Sequence, residues 1–168
     1  DEAVLKNAYY PSWGPDGSHI TYVDTTNAIK TVAANGQGQA QTLYSNSSTT
    51  YWSPTTSPDG KNVAYVAQGS AMASGGPMSV NGGPLTQLFV NGRAVSGDED
   101  VFAFPAEWLS NDALVYASNG KIWKRNVTSG AVTQIPFSAQ MPFNRASYPM
   151  KSHNFSPTAT QKATGILS

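Results

Sequence analysis

Short apolar runs, each preceded by turn-forming residues, organise this chain. Ile20-Thr21-Tyr22-Val23, Val63-Ala64-Tyr65-Val66 and Leu114-Val115-Tyr116-Ala117 are apolar or small on both faces of an extended strand. Such runs predict strands covered by neighbours on each side. Two of them follow the same turn, Ser12-Trp13-Gly14-Pro15-Asp16-Gly17 before the first and Thr56-Ser57-Pro58-Asp59-Gly60 before the second. In this turn Pro15 or Pro58 sets φ to about −65°, and Asp16 or Asp59 bonds its own following backbone. Gly17 or Gly60 then supplies the positive φ that closes the hairpin. A degenerate third copy, Glu107-Trp108-Leu109-Ser110-Asn111-Asp112, precedes the third run. Each unit continues into a second hairpin. Residues 28–34 and 39–44 pair across Asn35-Gly36-Gln37-Gly38, 87–90 and 93–96 across Asn91-Gly92, and 121–127 and 131–137 across Thr128-Ser129-Gly130. Asn-Gly between two such runs is a strong two-residue hairpin signal.

The tyrosines give the period: Tyr22 to Tyr65 is 43 residues and Tyr65 to Tyr116 is 51. A repeat of that length made only of strands predicts an all-β fold, a β-propeller of four-stranded antiparallel blades. The blade-like units lie at about 9–45, 52–97 and 101–138, with the innermost strand of each placed before the turn. The second unit carries a Gly- and Ser-rich insertion, 68–86, of the length of a functional or mobile surface loop. Residues 139–168 read as a connector into a next blade. Closed propellers have about four to eight blades. Three blades therefore predict one partial domain of a larger ring, of about six blades or more. Each bare blade face is an apolar surface, which the remainder of the propeller or another copy of the chain is expected to cover.

Composition narrows the chemistry. Charged residues are only 12% of the chain, low for a helical domain, while Gly and Pro number 15 and 11. With no Cys, a disulfide framework, a thiolate nucleophile and a thiolate zinc site are excluded. Ten Lys+Arg balance ten Asp+Glu, so the chain carries no electrostatic footprint for nucleic acid or an anionic membrane. No apolar stretch reaches the roughly 18 residues a membrane helix needs, so no membrane insertion is expected. The opening DEAVLKNAYY lacks a basic region followed by an apolar run, although a signal already removed leaves no trace and export stays open.

Candidate sites are few. His19 follows the first turn and His153 lies in the irregular tail, and both read as structural or surface residues. Asp98-Glu99-Asp100 is the one dense charge cluster; it lacks the Asp-x-Asp-x-Asp-Gly spacing of a calcium loop and reads as a solvated interblade loop. It is kept as a surface or ligand candidate. Asp16 and Asp59 precede a turn Gly at a fixed place and read as turn residues, with Pro15, Gly17, Pro58 and Gly60. Trp13, Trp52, Trp108 and Trp123 are expected in the core, with Trp52 the least constrained and so the aromatic candidate for a ligand. Asn46, Asn126 and Asn154 begin glycosylation triplets of the kind a Ser/Thr-rich chain produces by chance. There is no Walker loop, G-x-S-x-G elbow, HExxH or GxGxxG. No catalytic, cofactor-binding or metal-binding residue is assigned in this segment.

The two turns, each with a Tyr six residues after its Asp, resemble the WD-like repeat of TolB-type β-propellers. The ordered series SPDGKNVAYVAQ, LFVNGRAVSGDEDVFAFPAEWLSNDALVYASNGKIWKRNV and TQIPFSAQ, then the stretch from Tyr148 to Phe155, is similar to a narrower group. These are the N-terminal propeller segments of bacterial amidohydrolases, in which a TolB-like propeller is joined to a metal-dependent hydrolase barrel. The chain departs from the pattern at Gly14, where Ser is usual, and in its third turn, which lacks Pro-Asp-Gly. The resemblance implies a non-catalytic propeller portion that gates access or mediates assembly. It also implies that Gly165 to Ser168 run on into another repeat, and that a downstream hydrolase domain holds a zinc-type divalent metal. A periplasmic or secreted location follows from the same likeness. Two alternatives stand beside it: a stand-alone TolB-like module binding a protein or peptide, and the gating propeller of a prolyl oligopeptidase-type serine peptidase.

Overall fold

The computed structural model describes residues 7–69 and 84–142. Among these residues every regular element is a strand, and the strands form three four-stranded sheets. The first sheet contains β1 (Ala8–Trp13), β2 (His19–Asp24), β3 (Ala28–Ala33) and β4 (Gln41–Ser45). The second contains β5 (Thr49–Thr56), β6 (Val63–Gly69), β7 (Gln87–Val90) and β8 (Arg93–Ala94). The third contains β9 (Glu107–Trp108), β10 (Ala113–Ser118), β11 (Lys121–Asn126) and β12 (Val132–Ile135). In each sheet the strands are joined in chain order, and every pair is antiparallel. These are three blades of a β-propeller, the architecture that the repeat predicts. The chain divides into two compact units, Asp1–Phe137, which holds the three blades, and Ser138–Ser168. Most of the Gly/Ser-rich insertion, His153, the Asn154 triplet and all but the first residues of the connector lie outside the described residues.

The doubly apolar strands have a plain cause. On β6, Tyr65 turns toward the first blade and Val66 toward the third, since alternate residues of a strand point to opposite faces. Tyr65 joins Val23, Ile29, Tyr51 and Ala67 in one buried cluster. Its ring stacks on Phe89 at 5.4 Å and meets Tyr44 at 4.8 Å and Tyr51 at 5.6 Å. Burial, and then the neighbouring Tyr44 and Tyr51 hydroxyls, push its own hydroxyl well above the ordinary tyrosine range. Val66 joins Ala64, Leu88 and Val90 from its own blade with Leu114 and Tyr116 from the third. Polar clamps complete both seams. Asn27 donates to the Thr49 carbonyl and accepts from the Tyr51 N–H at 3.1 Å. Ser53 and Thr55 donate to the carbonyls of Ala103 and Ala106 at 3.0 and 2.9 Å.

Turn geometry follows residue type. Asn91 and Gly92 both adopt positive φ, 48° and 81°, as a two-residue hairpin whose twist matches its strands requires. The first and second blade turns are closed by Gly14 N to His19 O and Ser57 N to Asn62 O, both at 2.8 Å. The third is closed by Leu109 N to Ala113 O, also at 2.8 Å, and is one residue shorter. The third turn lacks Pro-Asp-Gly yet keeps the serine-to-aspartate bond of the second: Ser110 donates to Asp112 at 2.7 Å, as Ser57 does to Asp59 at 2.6 Å.

Candidate functional site

The first strand of each blade has one paired edge and one free edge, since β1, β5 and β9 each sit at the end of a sheet. β1 lies beside β5, and β5 meets β9, so these strands form the inner side of the three blades. Two of them are bulged at matching places. The register of β1 on β2 shifts between Tyr9 and Ser12, and that of β5 on β6 between Trp52 and Thr55. Inside each shift stands a non-glycine residue in the left-handed region followed by proline: Tyr10 (φ 52°) before Pro11 and Ser53 (φ 48°) before Pro54. Such a conformation costs on the order of 1–3 kcal/mol and persists where the surroundings over-determine it. Proline is admitted because the inner edge needs no ladder N–H.

These bulges shape a groove of about 680 Å³ lined by Tyr10, Trp13, Pro54, Phe104, Pro105, Glu107 and Trp108 among others. Tyr10, Trp13 and Phe104 are 46%, 65% and 66% exposed, high values for large apolar side chains that converge on one hollow. Glu107 is the single charged residue among the described lining residues, and its pairing with Val115 puts its side chain on the face of the third blade turned away from the second. A second, more polar hollow of about 590 Å³ lies where the first blade meets the second, and His19, Thr31, Gln41, Tyr44 and Lys61 help line it.

The repeat-turn residues lie at the blade turns and act on their own loops. Asp16 accepts from the Ser18 N–H at 2.9 Å and its hydroxyl at 2.7 Å, and Asp59 accepts from the Ser57 hydroxyl at 2.6 Å and the Lys61 N–H at 3.2 Å. The Ser18 N–H beside Asp16, and the Ser57 hydroxyl beside Asp59, hold both carboxyls below the ordinary range. A general acid needs the opposite shift, so these groups are chemically suited to locking turns. Pro15 and Pro58 also reach the rim of the inner groove, and Gly60 the polar hollow. Ser18, His19 and Asp16 do meet, but in the wrong order for a nucleophile relay. Ser18 Oγ lies 3.1 Å from His19 Nδ1 and gives its proton to Asp16, whereas a relay places the imidazole between serine and carboxylate.

The acidic loop is not uniformly solvated. Glu99 accepts from Arg125 Nη2 at 2.6 Å, and Tyr116 donates to the same carboxylate while accepting from Arg125 at 3.0 Å. Burial first, and then Glu99, push the Tyr116 hydroxyl up to about 12. Asp100 accepts from the Thr86 N–H at 3.2 Å, and Asp98 is exposed, so the three carboxylates do different things. Among the described residues no group of three or more His, Asp or Glu is placed to hold a metal ion. Trp52, Trp108 and Trp123 are half-buried against the seam between the second and third blades, but Trp13 is not a core residue. It stands on the inner edge, where no neighbouring blade covers it. Sequence reasoning missed the groove itself. Its signal was present: Tyr10-Pro11 and Ser53-Pro54 each begin six residues before the turn Asp, and Phe104-Pro105 precedes the third turn.

No protein-family description matches the chain, and no curated protein matches its sequence. Solved structures do match its fold. It is similar to dipeptidyl peptidase 4 of Porphyromonas gingivalis, with a TM-score of 0.56 and 12% identity over 78% of this chain and 26% of that one. It is also similar to an acylaminoacyl peptidase solved in complex with Z-Gly-Gly-Phe-chloromethyl ketone, with a TM-score of 0.50 and 14% identity over 79% and 25%. The matching parts are propeller domains, and at these identities the likeness defines a class of architecture, a partial β-propeller. The chain spans about a quarter of the length of either peptidase.

Proposed function

We propose that this chain is the non-catalytic N-terminal propeller portion of a larger, amidohydrolase-type metal-dependent hydrolase with TolB-like repeats. Its blades form part of the wall through which substrate reaches the active site, and their faces mediate assembly. The observation that carries the reading is the inner groove: Tyr10 and Trp13 on β1 and Phe104 in the loop before β9 are exposed there, and the turn carboxylates are committed to their own loops. A surface of that kind selects and guides, but moves no proton. The ordered motif series from Ser57 onward supports the amidohydrolase type. In this reading the zinc-type divalent metal belongs to a downstream domain, and the protein works in the periplasm or outside the cell. The free face of the third blade bears Val115, Ala117, Ile122 and Ile135, all half-buried. It is suited to receive a further blade, from the rest of the protein or from a second copy.

The natural full-length protein is the test. Hydrolysis of a panel of amides and cyclic amides, abolished by a chelator and restored by zinc, is the expected result. Hydrolysis blocked by a serine-directed reagent and indifferent to the chelator would replace this reading with the peptidase propeller. A natural product that ends after further repeats and turns over nothing would leave the stand-alone binding module, which the same groove favours.

A further inference from the structure

A small polar cleft lies in the seam between the second and third blades, at the end where β7 turns into β8 and β11 into β12. It measures about 160 Å³, and Arg93, Arg125, Thr128 and Ser129 help line it; no Asp or Glu is among its described lining residues. Strand register puts both arginines in this seam. Arg93 pairs with Val90 and Arg125 with Leu114, and directly opposed residues of antiparallel strands share a face. Val90 and Leu114 belong to the buried cluster that joins the two blades, and Val95 and Val127 pack against it. The arginines thus project from facing sheets into one cleft, and both of its walls belong to blades within the chain.

The two cations differ in what they already hold. Arg125 is buried, and its Nη2 donates to Glu99 at 2.6 Å and to the Tyr116 hydroxyl at 3.0 Å, while Nε reaches the same hydroxyl at 3.2 Å. Among the described residues its Nη1 makes no hydrogen bond, and Arg93 has neither a side-chain hydrogen bond nor an ion pair. Glu99 balances one positive charge and leaves one in excess, so the cleft is complementary to an anion. Guanidinium forks match the oxygens of carboxylate and phosphate. Here the donors come from two opposed walls, with hydroxyls at the turn between them, which suits a tetrahedral group better than a planar one. The volume is about five times the roughly 30 Å³ share of one water, room for a single such group and not for a peptide segment.

We propose that this cleft binds a phosphate group between Arg93 and the free Nη1 of Arg125, beside Thr128 and Ser129, and that the bound anion ties the second blade to the third. The site requires neither the hydrolase nor a further blade.

Inorganic phosphate is titrated into the natural full-length protein, and binding is read by calorimetry and by the rise in melting temperature. Saturable binding that Arg93→Gln weakens by about tenfold or more is the expected result, since a charge-assisted fork is removed. Arg93→Lys keeps the charge without the fork and should weaken binding by about threefold. Arg93 is exposed, so both variants should melt with the parent when phosphate is absent. Phenyl phosphate bound as tightly as phosphate would mean a group carried on a larger molecule, and its exclusion would mean the free ion; either supports the site. No binding, binding that Arg93→Gln leaves unchanged, or acetate bound as tightly as phosphate would overturn the inference. Metal-dependent turnover without phosphate binding removes only this site, and phosphate binding without turnover removes only the hydrolase.

Discussion

Gly14 marks the place where the first blade turn departs from the second, and His19 explains the departure. A Cβ at position 14 would lie 2.4 Å from His19 Cε1, 2.6 Å from Nε2 and 2.7 Å from Nδ1, against the roughly 3.5–4.0 Å of a relaxed contact. Gly14→Ser therefore expels the imidazole, whose side chain is 30% exposed and which lies 3.1 Å from the Ser18 hydroxyl. Overpacking of this kind costs about 1–3 kcal/mol; because the ring can swing toward water, about 1–2 kcal/mol is expected. His19→Asn alone should cost about 0.5 kcal/mol, as half-exposed changes do. The double variant rebuilds the second turn, in which Ser57 donates to Asp59 at 2.6 Å and accepts from the Asn62 N–H at 2.9 Å. It should return to within about 0.5 kcal/mol of the parent, a favourable coupling of about 1–2 kcal/mol. Urea unfolding followed by tryptophan fluorescence measures all four proteins, and an unchanged slope with denaturant validates the comparison. For a chain of this size each kcal/mol corresponds to about 2–4 °C in Tm. Effects that merely add, or a Gly14→Ser protein as stable as the parent, would refute the packing account.

Leu114, fully buried between the second and third blades, should cost about 2–5 kcal/mol as Leu114→Ala, while exposed Val132→Ala stays within about 0.5 kcal/mol by the same urea assay. Equal effects would mean that the blade seam does not hold the fold. Arg125→Met removes the cation that pairs with the Glu99 carboxylate, leaving it only the Tyr116 hydroxyl, and should cost about 3 kcal/mol, whereas a neutral result would show the cluster to be solvated. Burial raises the Asp24 carboxyl, but Lys30 at 2.6 Å, the Ala28 N–H at 3.0 Å and the Thr26 hydroxyl outweigh it and hold it at about 2, below the ordinary 3.8. A depressed native pKa contributes stability above pH 3.8 that is lost as the pH falls through about 2. Asp24→Asn should flatten that limb of an acid-unfolding curve, and an unchanged limb would contradict the assignment.

The local chemistry of the chain was enough to predict its strands and hairpins. Pro-Asp-Gly and Asn-Gly act within a few residues and need no distant partner, so Asp16, Asp59 and the Asn91-Gly92 hairpin could be placed from spacing alone. The repeat of Tyr22, Tyr65 and Tyr116 then predicted three four-stranded sheets, because strands apolar on both faces must be covered on both. Burial was less legible. Trp13 and Trp108 sit at corresponding places before their turns, yet one is open to solvent and the other packs on a neighbouring blade. Glu99 reads as one of three solvated acids until Arg125, 26 positions away, is brought against it.

The amino-acid sequence by itself determined the period, the turns and the all-β class of this protein, since each rests on backbone preferences expressed over a few residues. The tertiary structure alone decided which aromatics are core and which are surface, and that Tyr10, Trp13, Phe104 and Glu107 share one groove. The physical reason is that a side chain on a strand is buried by whatever lies across from it. In a propeller that neighbour belongs to the adjoining blade, about one repeat away along the chain, and no local pattern records its position.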